Sequence, residues 1–101
     1  MNAITWFEIP TTDLDRAAKF WGTVLGKELR RDTFGGTPHA FFPSGERSPD
    51  GKRAVVGGAL IFDAKRKPSP LGTTVYIDVG PGKGTIDAVV GRVAAAGGKV
   101  I

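Results

Sequence analysis

Residues 3–9, AITWFEI, are rich in β-forming side chains and predict a strand. Its alternation puts Thr5, Phe7 and Ile9 on one side and Trp6 and Glu8 on the other. Pro10 ends it, and Thr12 or Asp13 caps the helix that follows. In that helix Leu14, Ala17, Ala18, Trp21, Val24 and Leu25 recur in steps of three and four, which makes one apolar face. Asp13 and Asp15 suit its positive N-terminal end, and Gly26 stops it. Further strands are predicted over 27–33, 39–42 and 54–62. Gly35-Gly36 turns between the first two of these, and Gly57-Gly58 softens the third. Residues 44–53 read as a polar loop around the Pro49-Asp50-Gly51 turn. A basic, proline-containing connector, 63–72, leads to a fifth alternating strand over 73–79 and a loop over 80–84. Ile86, Val89, Val90 and Val93 then mark a second apolar helical face, closed by Gly97-Gly98, and Lys99-Val100-Ile101 open a sixth strand.

These elements repeat. Leu14, Ala17, Ala18 and Trp21 recur as Ile86, Val89, Val90 and Val93, each 72 positions later, and Gly26-Lys27 recurs as Gly98-Lys99 at the same spacing. In the preceding strands Phe7, Glu8 and Ile9 match Val75, Tyr76 and Ile77, 68 positions later. The extra residues of the second copy belong to the 80–84 loop. The economical description is an α+β chain built from paired βαβββ modules. They form a curved, mostly antiparallel sheet cup with helices on its outer face. The whole of 1–101 reads as one domain: module one about 1–63, a linker about 64–71, and module two about 72–101. The second module reads as truncated, which leaves an unpaired sheet edge; the chain is expected to be a fragment of a longer one or to be completed by a partner chain. Phe7, Ile9, Val75 and Ile77 are the expected core between sheet and helices.

Composition narrows the function. The chain has 101 residues and no cysteine, so neither disulfides nor thiol chemistry is available. No apolar run is long enough to cross a membrane, and the N-terminus lacks a signal-peptide pattern, so a cytoplasmic location is expected. The net charge is +4, but the basic residues fall into small groups at 27–31, 52–53 and 65–67 instead of one face. Nucleic acid and membrane are therefore not expected partners. Gly80-Pro81-Gly82-Lys83-Gly84-Thr85 lacks the spacing of a phosphate loop, and its proline removes an amide donor.

The stretch FEIPTTDLDRAAKFWGTVLGKEL resembles the opening of the vicinal-oxygen-chelate superfamily, the group of glyoxalase I, bleomycin- and fosfomycin-resistance proteins and extradiol dioxygenases. PSPLGTTVYIDVG and AAAGGKVI resemble the start of that family's second module. The resemblance implies a concave sheet around a site. In metal-dependent members it implies His, Glu or Gln ligands on the first and last strands of each module. The first ligand position, counted back from Asp13, is Trp6, and its equivalent on the fifth strand is Thr74. Neither is an ordinary ligand for a divalent transition metal. The fourth strand offers no ligand type, and the last family position falls beyond Ile101. No cofactor is therefore expected; a divalent metal would need residues outside this sequence.

Trp6, Glu8, Thr74 and Tyr76 share the predicted concave face and are the expected ligand-binding residues. Glu8 has three open readings: an ordinary polar residue of the open sheet face, hydrogen-bonded to Tyr76 or to water; an orienting group for a basic or hydroxylated ligand; or, partly desolvated beside Trp6, a general base with a raised pKa. His39, the sole histidine, reads as a partly exposed polar residue. The leading expectation is a glyoxalase/bleomycin-resistance-like protein that binds a small molecule in the cup without metal, as a homodimer. The alternative is a lyase- or isomerase-type enzyme, related to lactoylglutathione lyases, with Glu8 as its catalytic residue. A third class is an interaction domain whose open sheet edges pair with another chain.

Overall fold

The computed structural model describes residues 3–43, 56–80 and 83–101. The 44–53 loop, its Pro49-Asp50-Gly51 turn, the start of the strand predicted over 54–62, and Pro81-Gly82 lie outside the described residues. The chain runs β1 (Trp6–Pro10), α1 (Leu14–Leu25), β2 (Arg30–Phe34), β3 (Thr37–Phe41), β4 (Gly57–Ile61) and α2 (Lys83–Val93). It is an α+β arrangement with one four-stranded sheet in the order β1-β4-β3-β2. β1 lies parallel to β4, while β2–β3 and β3–β4 are antiparallel. The sheet is mixed and open: it does not close into a cup.

α1 has the ends its sequence predicts. Asp13 is the N-cap and accepts from the Arg16 amide at 3.0 Å. Gly26 adopts a left-handed φ of 75°, and its N–H reaches the Gly22 carbonyl at 2.9 Å. The apolar stripe of α1 faces the sheet. Leu14 and Ala18 join Leu29, Ala40, Phe42 and Leu60 in the core, with Phe7, Ile9, Trp21 and Ile77 packed around them. Gly58 faces Phe7 across the parallel ladder, where a Cβ would collide with the Phe7 ring. The glycine whose sequence reading is a softened strand makes room for a core aromatic.

The second unit departs from its predicted copy of the first. Residues 73–80 form no strand. A strand holds its shape through ladder hydrogen bonds, and no described strand pairs with this segment. The same holds for Lys99–Ile101, which forms no sixth strand. Ile77 packs on the core as expected, but Val75 is 39% exposed and does not. α2 packs on α1, not on the sheet. Arg92 Nε donates to the Val24 carbonyl at 2.9 Å, and Gly98 lies against Phe20 with no room for a Cβ. Two helices on one sheet face was the expectation; only α1 occupies that place, because no described strand extends the sheet beneath α2. No helix among the described residues is long and apolar enough to cross a membrane.

Candidate functional site

Strand alternation builds the face opposite α1. Phe7 and Ile9 go to the core, so Trp6 and Glu8 emerge on the other side. The ladder brings Phe41 and His39 of β3 to the same side. The Trp6 and Phe41 rings lie 5.9 Å apart. His39 stacks on Phe41 at 5.6 Å with an interplanar angle of 18°, and Phe34 meets Phe41 edge-on at 5.7 Å. The Arg30 guanidinium sits 4.4 Å above the Phe41 ring, a cation–π contact.

Glu8 is the polar centre of this face. Arg66 Nη1 donates to its Oε1 at 2.8 Å, and His39 Nε2 lies 3.1 Å from its Oε2. His39 Nδ1 in turn donates to the Thr37 carbonyl at 2.7 Å. Arg66 also spends its Nε on Asp63 Oδ2 at 3.1 Å. Asp63 receives the Lys65 amide at 2.9 Å as well, closing a tight turn directly after β4. The general-base reading expects burial to raise the Glu8 pKa. The sign is reversed: hydrogen bonding to Arg66 holds the carboxyl below its ordinary value, burial opposes this, and the His39 and Trp6 side chains reinforce it. Asp63 is held down as well, first by the Lys65 amide and then by Arg66. Glu8 is therefore an ionised, fully engaged carboxylate, with its charge already compensated.

His39 is 8% exposed, not the partly exposed residue its isolation in the sequence suggests. It and Arg66 are the site residues the sequence does not reveal. The parity of His39 relative to Glu8 depends on a strand register that no local motif fixes. Arg66 reaches Glu8 across 58 positions of chain from a connector that reads as solvated.

The other predicted residues meet elsewhere. Trp6, Thr74 and Tyr76 line a cavity of about 890 Å³ at the end of the sheet where β1 and β4 begin. Phe7, Phe42 and Gly58 line it from the sheet, and residues 73–78 supply much of the remainder. Asp78 is the only charged side chain among its described lining residues. Glu8 is not in that lining; it turns to His39 and Arg66. A second concavity, of about 500 Å³, lies beside α1 and holds none of the predicted site residues. Its lining carries Lys19, Lys27 and Arg31 with Asp15 and Glu28, and Arg31 is already paired with Asp15 at 2.8 Å.

Residues 3–36 match the family of bleomycin resistance protein-like N-terminal segments. The match supports the resemblance of this segment to the vicinal-oxygen-chelate, glyoxalase-like superfamily. It spans β1, α1 and β2, the part of the fold whose caps and core the sequence states most clearly. No curated protein and no solved structure matches the chain.

The described residues do not carry the donor set that the resemblance implies for metal-dependent members of the superfamily. Trp6 has no metal donor, and Thr74 offers only a neutral hydroxyl. His39 and Glu8 are adjacent, but Arg66 occupies the carboxylate. Among the described residues no three His, Asp or Glu side chains converge as a metal site. The residues present do not fit the group.

Proposed function

We propose that the protein binds a small, largely apolar molecule without chemically transforming it. The cavity that joins Trp6, Thr74 and Tyr76 carries this reading. Its mainly apolar lining with a few polar groups suits a small-molecule site. Trp6 is 44% and Tyr76 91% exposed, so both rings have surface to give to a ligand. The family of the first segment is named for bleomycin resistance, and bleomycin is the first compound to titrate. An aromatic neutral probe, N-phenyl-1-naphthylamine, tests the apolar cavity independently. Saturable binding, weakened at least tenfold by Trp6→Ala, is the expected result. Unchanged binding in that variant would remove the cavity from the reading.

Catalysis by Glu8 as a base is the competing proposal, and the ion pair with Arg66 disfavours it. A general base works best with a pKa near the working pH, and this carboxylate is shifted away from it. Turnover of a glyoxalase-type substrate that vanishes in Glu8→Gln would reverse the order of the two readings. A homodimer fits the exposed Ile86, Val90 and Leu71 side chains. Sedimentation at micromolar concentration checks it, with twice the 10.6 kDa chain mass expected.

A further inference from the structure

We infer that His39 is a pH-sensitive latch: as an imidazolium it ties β3 to Glu8 on the edge strand β1, and loss of its proton releases that hold. Among the described residues β1 pairs only with β4. The Glu8–His39 contact at 3.1 Å reaches past that neighbour to the next strand. It passes over Ala59 and Ile61, the register partners of Glu8 and His39 on β4, and both are fully buried. The Trp6–Phe41 ring contact also links β1 to β3, and it carries no charge. The latch acts on the sheet itself and does not depend on ligand binding.

The partners of the ring fix its proton count. A neutral imidazole has one N–H and one lone pair. The Thr37 carbonyl, 2.7 Å from Nδ1, can only accept. The Glu8 carboxylate, which also takes Arg66 Nη1 at 2.8 Å, is ionised and can only accept. An acceptor on each nitrogen requires two N–H groups. The ring is buried, stacked on Phe41 and edge-on to Phe34, so water is poorly placed to supply a substitute donor. The other charged groups around it are Glu8 from β1, Asp32, its register partner on β2, and Asp63 after β4, with Arg66 and Arg30 as cations. Arg66 is shared by Glu8 and Asp63, and Arg30 lies over Phe41 and 3.6 Å from Asp32. With His39 charged, the carboxylates and cations of this face balance.

Histidine side chains change charge between about pH 5 and 8. The Thr37 bond is local to β3 and short, so the proton that remains is the one on Nδ1. Nε2 then turns a lone pair toward the Glu8 carboxylate, one acceptor against another in a site with little water. The latch is closed on the acid side of the histidine titration and open on the alkaline side. Glu8, held below its ordinary value by Arg66, stays ionised on both.

The test uses the full chain with nitrogen-labelled histidine; His39 is its one histidine, so every signal belongs to this ring. Long-range nitrogen–proton correlation at about pH 6 is expected to show both nitrogens protonated, and at about pH 8.5 a protonated Nδ1 with a bare Nε2. Hydrogen exchange, corrected for the intrinsic pH dependence of the rate, reads the strand. Protection of the β1 amides should fall about tenfold between the same two pH values, while that of the β2–β3 hairpin holds. In His39→Gln the difference in β1 should vanish. A ring with a single proton at about pH 6 overturns the inference. So does an unchanged β1, a joint loss of protection in β1 and the hairpin, or a pH response that persists in His39→Gln. The ring and exchange measurements use the unmodified chain and decide the matter even where His39→Gln does not fold.

Discussion

The two β-α units carry the same apolar spacing and meet different fates. In the first, Leu14 and Ala18 are buried under a sheet whose central strand supplies Leu60. In the second, Ile86 and Val90 occupy matching positions on α2, and they are 51% and 47% exposed. A helical stripe states which side chains can be buried. Whether they are buried depends on what lies opposite, and among the described residues α1 has a sheet where α2 has only α1. Periodicity is thus a necessary condition for a core and not a sufficient one.

The contrast is sharpest at the core itself. Leu60→Ala, at 1% exposure in the central strand, should cost about 3 kcal/mol in urea unfolding, whereas Ile86→Ala should cost under about 1 kcal/mol. Similar losses at the two positions would mean that α2 is buried as deeply as α1. Glycines give the next largest difference. Gly58→Ala drives a methyl into the Phe7 ring and should destabilise by about 2 kcal/mol. Gly91→Ala in α2 meets open space and should stabilise by about 0.5 kcal/mol through helix propensity. Opposite signs in a thermal melt are the expected outcome.

The tether between the units comes third. Arg92→Met removes the hydrogen bond to the Val24 carbonyl and should cost about 1 kcal/mol. Hydrogen exchange should show that loss in the amides of α2 before those of α1. Smallest is the acid response. The folded Glu8 carboxyl titrates below its unfolded value, so its stabilising contribution is complete above the unfolded pKa and is lost as pH falls through the folded one. Unfolding midpoints measured from neutral pH into the acid range should therefore fall less steeply in Glu8→Gln. Asp63, shifted the same way, keeps part of the slope in that variant.

The legible part of the molecule is local. Asp13 and Gly26 announce the ends of α1, and the alternation around Phe7 and Ile9 assigns β1 its faces, because caps and pleats depend on neighbours a few residues away. Pairing across the sheet is not local. Nothing near His39 says that it will stand opposite Glu8, and nothing near Arg66 says that its guanidinium will cross to β1. The raised pKa that the base reading of Glu8 needs is reversed for that reason: burial was foreseeable from Trp6, but the compensating cation was not. At 73–79 the error ran the other way. The local pattern is strand-like, and the ladder that would make it a strand is missing among the described residues.

The parallel pairing of β1 with β4 also orders events in time. Trp6 stands beside Gly57, about fifty residues along the chain, whereas β2 and β3 meet across a two-residue turn. Closing the longer loop costs more chain entropy before any contact rewards it. The hairpin and α1 can therefore form before β1 pairs with β4. Until β1 is docked, Trp6 is missing from the cavity that residues 73–78 also line, so that cavity cannot be complete before the longest pairing in the sheet has closed.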